Sequence, residues 1–135
     1  MENKKSITSG KRKTSVARAS ITEGNGRITI NKKDYKTLNF FDKLKIEEPL
    51  RICENEIGKL NFDVEISVKG GGEKSQIDAA RIALSRAILI FTKSEKIKKL
   101  FLEYDRHLLI ADVRRKEAYK PGDSKARRKR QKSFR

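Results

Sequence analysis

The last 22 residues of the chain, Arg114–Arg135, read RRKEAYKPGDSKARRKRQKSFR and hold eleven Lys or Arg against two acids. Only Ala118, Tyr119, Ala126 and Phe134 could enter a core. A segment that buries so little cannot offset the entropy of ordering its own backbone. It needs a partner, and its surplus of positive charge calls for a polyanion. Nucleic acid comes first, because phosphates supply dense negative charge along a line.

The charge is segregated. Met1–Arg18 holds six bases and one acid, whereas Ala19–Val113 holds seventeen bases and fifteen acids, within a chain of net +16. A nearly neutral body is thus flanked by basic ends, an arrangement that solubility alone does not require. The expected organisation is a basic N-terminal arm over 1–13, a globular domain over 14–113 and an extended basic tail over 114–135. A solvated tail with no specific partner is the bland alternative.

With 135 residues there is room for one compact domain plus its arms. No apolar run approaches the ~20 residues that span a bilayer, and the N-terminus lacks a signal-peptide core. The lone cysteine, Cys53, permits no internal disulfide. These features predict a cytoplasmic protein with no membrane partner.

Period-two alternation predicts strands. Ala17, Ala19 and Ile21 share one face, and Ile28 and Ile30 follow a turn at Glu23–Gly26, which reads as a β-hairpin. Phe62, Val64, Ile66 and Val68 alternate with Asp63, Glu65, Ser67 and Lys69, the cleanest such pattern in the chain. A helix is expected over about 47–57, with Pro49 in its first turn, a stripe of Leu50, Cys53 and Ile57, and Gly58 as its cap. That stripe makes Cys53 a core residue rather than a reactive thiol. The strongest helical pattern, Ile77, Ala80, Leu84, Ala87, Ile88 and Phe91, predicts a helix over 73–91. Another is expected over 95–104, capped by Ser94, and 108–113 could form a last strand. Together these predict an α+β two-layer domain, a small sheet covered by helices.

Few residues suggest catalysis. One histidine, His107, and one cysteine cannot supply the three or four ligands of a zinc site. Asp105 and Arg106 resemble an acid/base pair but read better as an ion pair closing a helix. Gly70-Gly71-Gly72 could let a backbone approach phosphate, yet Glu73-Lys74-Ser75 follows without the spacer of a mononucleotide loop. A tight turn with RNA backbone contact, or a structural turn, fits better. The chain therefore reads as a non-enzyme with no cofactor and no small-molecule substrate.

Gly10-Lys11-Arg12-Lys13-Thr14-Ser15-Val16-Ala17-Arg18 surrounds small and hydroxyl residues with bases. Such a run suits phosphate contact with close backbone approach. There is no aromatic RNA-recognition stripe, zinc-finger spacing or basic zipper. Irregular basic arms suit threading through folded RNA better than lying in one groove. A non-ribosomal architectural nucleic-acid-binding protein remains the alternative.

The chain resembles the universal ninth protein of the small ribosomal subunit, in its archaeal and eukaryotic-cytosolic form. The resemblance is carried by Gly10 to Thr14 with Ala17-Arg18, and by Gly24-x-Gly26-x-Ile28-x-Ile30-Asn31. Lys45-x-x-Glu48-Pro49-Leu50 and Val68-x-Gly70-Gly71-Gly72 with Gln76 and Ala79-Ala80-Arg81 also match. So do Tyr104-Asp105-Arg106, Leu108-Leu109, Asp112-x-Arg114-Arg115 and the end from Ala126 to Arg135. It implies a ribosomal fold with a left-handed crossover, against the usual handedness rule. It also implies a ribosome-bound place in the small-subunit head, where small-subunit rRNA and neighbouring head proteins are the partners. Candidate rRNA contacts are then Lys11, Arg12, Lys13, Thr14, Arg18, Lys69, Gly70, Gly71 and Gly72. In the tail they are Arg114, Arg115, Lys116, Lys125, Arg127, Arg128, Lys129 and Arg130. The tip, Gln131, Lys132, Ser133, Phe134 and Arg135, matches the segment that approaches P-site tRNA. The family commonly ends in Lys-Ser-Tyr-Arg, so Phe134 favours stacking over a hydroxyl hydrogen bond. Extended, 22 residues span at most roughly 70–80 Å, enough for such a reach.

Overall fold

The computed structural model describes residues 5–122, 125–129 and 133. Its elements run β1 (Ser6–Arg12), β2 (Ser15–Glu23), β3 (Ile28–Ile30), β4 (Lys33–Asp34), α1 (Phe40–Ile57), β5 (Phe62–Lys69), α2 (Glu73–Thr92) and α3 (Glu95–Tyr104). The strands form one sheet in the order β1-β2-β5-β3-β4. Helix α2 lies on β1, β2 and β5, α1 packs against α2, and α3 packs against α1. This is the α+β two-layer arrangement the alternation predicted, with one sheet face covered and the other open.

The core follows the side-chain periods. Phe62, Val64, Ile66 and Val68 of β5 are buried, while Glu65, Ser67 and Lys69 between them are exposed. Ala17, Ala19 and Ile21 of β2 are fully buried beside them. Small residues let α2 lie close to β1 and β2: a Cβ on Gly10 would reach 2.7 Å from the Ala83 nitrogen, and Thr8 Oγ1 donates to the Ala83 carbonyl at 2.9 Å. Cys53 is buried, and desolvation, reinforced by Glu54, pushes its thiol up to about 11. Gly58 caps α1 at φ 85°, and the Ser94 hydroxyl accepts from Ile97 N–H at the start of α3.

Several sequence expectations are corrected. Strands β2 and β3 do not pair as a hairpin, because β5 inserts between them. Ala19 faces Ile66 in an antiparallel ladder, and Ile30 faces Ile66 in a parallel one. The longest apolar alternation thereby buries both of its edges. The glycine turn instead clasps the start of β5, where the Asp63 carboxylate accepts N–H bonds from Asn25 at 2.9 Å and Arg27 at 2.8 Å. The hairpin lies one strand earlier: Ser6–Arg12, expected within an arm, is an edge strand paired to β2 through a turn at Lys13-Thr14.

Helix α1 begins at Phe40, so Pro49 sits inside it rather than in its first turn. Its buried residues are Asp42, Ile46, Pro49, Leu50 and Cys53, a continuous stripe whose first half is masked in sequence by Lys43, Lys45 and the exposed Phe40 and Phe41. Residues 108–113 form no strand. Asp105 accepts from His107 N–H at 2.9 Å and starts a short 3-10 turn, Arg106–Leu108. Asp105 pairs not with Arg106 but with Arg81, at 3.2 Å. From residue 109 to the end, the described residues carry no helix or strand.

Candidate nucleic-acid interface

Two connections meet at one end of the sheet, the β1–β2 turn at Lys13-Thr14 and the β5–α2 loop at Gly70–Gly72. Ser15 Oγ donates to the Gly70 carbonyl at 2.9 Å, and Gln76 Nε2 donates to the same oxygen at 3.1 Å. Gly70 and Gly71 have φ of 78° and 65°, which side chains rarely tolerate. A Cβ on Gly70 would come within 2.7 Å of the Thr14 carbonyl, and one on Gly71 would collide with Ser15 Oγ. Two of the three glycines therefore have a structural reason: they let the loop touch the turn. Gly72 has open space around it.

Register then sorts the basic residues by face. Lys11 lies opposite Val16, which lies opposite Lys69; Ser9 lies opposite Arg18, which lies opposite Ser67. Lys11, Arg18 and Lys69 thus share the open face, all exposed, and Lys13 and Thr14 extend it at the turn. Toward the far end the same face carries Asp63 and Glu65, with Arg27 and Lys32 beside them. Residues 7, 9 and 11 of β1, 16 to 22 of β2 and 63 to 69 of β5 put no aromatic side chain on this face.

Arg12 points the other way. Its side chain is 16% exposed and lies 3.6 Å from Asp112 and 4.0 Å from Asp78, which Lys45 also meets at 2.9 Å. Arg114 donates to Asp112 through its guanidinium at 2.7 Å and its backbone N–H at 3.1 Å. Those bonds hold the Asp112 carboxyl well below the usual carboxylate range. The first residues of the tail are therefore rooted at the same end of the molecule as the two turns.

Residues 10–135 match the family described as ribosomal protein S9/S16. The chain belongs to that family. Among its relatives, small ribosomal subunit protein uS9 of Methanococcus vannielii is 47% identical over 131 residues, covering 95% of this chain and 96% of that protein. The uS9 proteins of Methanococcus maripaludis strain C7 and Desulfurococcus amylolyticus are 47% and 46% identical. The latter alignment covers 96% of this chain and 91% of that protein. The archaeal form of the resemblance is thus shown, and an S9/S16 ribosomal protein is a structural protein rather than an enzyme.

In this S9/S16 chain the tail contributes its cations singly. Arg115 is exposed, Lys116 sits over the Tyr119 ring at 4.6 Å, and Arg127 meets Glu117 at 3.0 Å. Lys125, Arg128, Lys129 and Ser133 are exposed. Arg130, Gln131, Lys132, Phe134 and Arg135 lie outside the described residues. Among the described residues no group of acids, His and Cys could hold a metal, and no helix is long and apolar enough to cross a membrane.

Sequence reasoning missed Arg86, whose Nε donates to Leu109 O and whose Nη1 donates to Ser9 O, both at 2.9 Å. Its one signal was a charge between Ser85 and Ala87 inside the most apolar helix. The partners of Arg12 also went unseen, because Asp78 and Asp112 are remote from it in the chain.

Proposed function

We propose that this chain is a structural protein of the small ribosomal subunit that grips rRNA at two joined places. These are the basic end of the open sheet face and the tail rooted beside it. The carrying observation is that Lys11, Lys13, Arg18 and Lys69 converge on one exposed end while Lys45, Lys74 and Arg81 on the helix side are already paired. Thr14 and the open Gly72 add a hydroxyl and a close backbone approach. Without aromatic side chains the face is poorly suited to stacking splayed bases, so it reads chiefly the phosphate backbone and the shape of folded RNA. Arg114, Arg115 and Lys116 continue the track from the body. Lys125, Arg127, Arg128, Lys129 and Arg130 extend it. The protein would work bound to cytoplasmic ribosomes, beside neighbouring head proteins.

The finer part of the proposal concerns the tip. Gln131, Lys132, Ser133, Phe134 and Arg135 reach toward P-site tRNA, where each cation adds about 1 kcal/mol or less of salt-screened attraction. That total is too small to build a tRNA site but enough to shift occupancy severalfold. Deleting Gln131–Arg135 should leave subunit assembly intact and weaken tRNA binding to purified small subunits at low magnesium. Wild-type tRNA affinity across the magnesium range would reject the tip's role. Equal affinity of the whole protein for duplex DNA and folded rRNA at one salt concentration would favour an architectural DNA binder instead.

A further inference from the structure

Arg12 and Arg86 lie away from the basic face of the sheet, on the side of α2. Among the described residues β1 pairs only with β2, so its outer edge carries no further strand. Along that edge runs the chain that follows α3. Arg86 of α2 reaches between the two, donating to Ser9 O of β1 and to Leu109 O. Arg12, at the end of β1, donates to the Arg114 carbonyl at 3.5 Å and lies against Asp112 and Asp78. A guanidinium offers five N–H groups in a flat fork, so it can serve several acceptors at once where an ammonium cannot. Arg86 thereby occupies the carbonyls of Ser9 and Leu109. For Arg12 to turn toward a phosphate it would have to abandon two carboxylates, leaving both without one of their cations.

We propose that Arg12 and Arg86 are positioning residues that clamp the backbone from Leu109 to Arg114 to the free edge of β1. The clamp aims the exit of the basic tail. Its consequence for affinity rests on the RNA-binding reading above; the clamp itself is a property of the free protein. A fixed exit keeps the tail's cations near RNA already held by Lys11, Lys13, Arg18 and Lys69, so the second contact becomes intramolecular.

The test uses the full-length, 15N-labelled chain carrying Arg12→Gln, Arg12→Lys, Arg86→Gln or Asp112→Asn. Backbone relaxation is measured over 109–114, and affinity for small-subunit rRNA is measured against salt. In the wild type these residues should be as rigid as the body. In Arg12→Gln, Arg86→Gln and Asp112→Asn, order parameters there should fall below ~0.6 while those of β5 stay unchanged. Arg12→Lys keeps the charge but not the fork, so it should stay loose. RNA affinity should drop about three- to tenfold because the tail is no longer preorganised, with the salt slope preserved. Asp112→Asn is the sharpest arm, because it adds net positive charge and yet should bind more weakly. It also carries the test if Arg86→Gln does not fold. A segment as rigid as wild type in Arg12→Gln and Asp112→Asn overturns the clamp. A salt slope lowered by one whole phosphate in Arg12→Gln, with Arg12→Lys restoring it, makes Arg12 a phosphate ligand and also overturns it. Loosening of 109–114 in a chain that binds no rRNA upholds the clamp and removes the RNA reading instead.

Discussion

Two stretches of this chain are rich in Lys and Arg and poor in bulky apolar residues: Ser6–Arg18 and Arg114–Lys129. The first is an antiparallel strand pair; the second has no strand or helix among its described residues. What separates them is small side chains at period two. Thr8, Gly10, Ser15 and Ala17 are all buried, and they meet a helix that offers Ala79, Ala80, Ala83 and Ala87. Backbones approach closely there, so little side-chain volume still excludes water and the ladder to β2 satisfies the backbone. The described residues of the tail show no such alternation, and Ala126 alone among them is buried. Charge density alone therefore does not decide whether a segment forms a strand. In the first stretch Arg12 lies against Asp78 and Asp112; in the second Arg114 meets Asp112 and Arg127 meets Glu117, so each stretch pairs part of its charge.

The comparison breaks most directly at the packed face. Leu84 is fully buried, and Leu84→Ala should cost about 2–5 kcal/mol, a large part of the roughly 5–15 kcal/mol typical of a domain. Denaturant unfolding followed by circular dichroism measures it, and an unmoved midpoint would mean α2 does not hold the sheet.

Gly10→Ala is the finer probe of the first stretch. The added methyl meets the Ala79 carbonyl and the Ala83 nitrogen, so β1 must lift from α2 at a cost of about 1–3 kcal/mol. Amide exchange in β1 should accelerate along with the fall in stability. A silent substitution would make β1 an arm after all, equivalent to the tail.

For binding, the two stretches should behave alike. Replacing Lys11, Lys13 and Arg18 with Gln should flatten the salt dependence of rRNA affinity by about 0.7–0.9 log units for each phosphate no longer neutralised. Replacing Lys125, Arg128 and Lys129 should do the same. A flattening confined to one set would assign the phosphate contacts to that stretch.

The smallest expected effect is on stability at the far end. Removing residues from Lys120 onward should shift the unfolding free energy by about 1 kcal/mol or less, because among its described residues the segment buries Ala126 alone and an exposed pair such as Arg127 with Glu117 contributes little. A destabilisation comparable to that of Leu84→Ala would show that the tail is part of the core, and the two stretches would then be alike.

The sequence alone determined β5, α2 and α3. Most of their apolar residues keep one period, with Ile90, Leu102 and Tyr104 left exposed, and burial of a periodic face is a local instruction that survives any arrangement of neighbours. It also determined that the chain's surplus charge lies at its ends. The tertiary structure decided which strands β5 separates, because Asp63 and Ile66 meet partners about forty residues away and no local pattern encodes that pairing. It shaped the first turn of α1, where the buried Asp42 takes its cation from α2, Lys74 at 3.0 Å. It also split Lys11 from Arg12. Adjacent residues on a strand point to opposite faces, so Lys11 stands in solvent while Arg12 turns inward to acids from α2 and from the root of the tail. In the sequence they are two equivalent cations; the pleat and the distant carboxylates make them different.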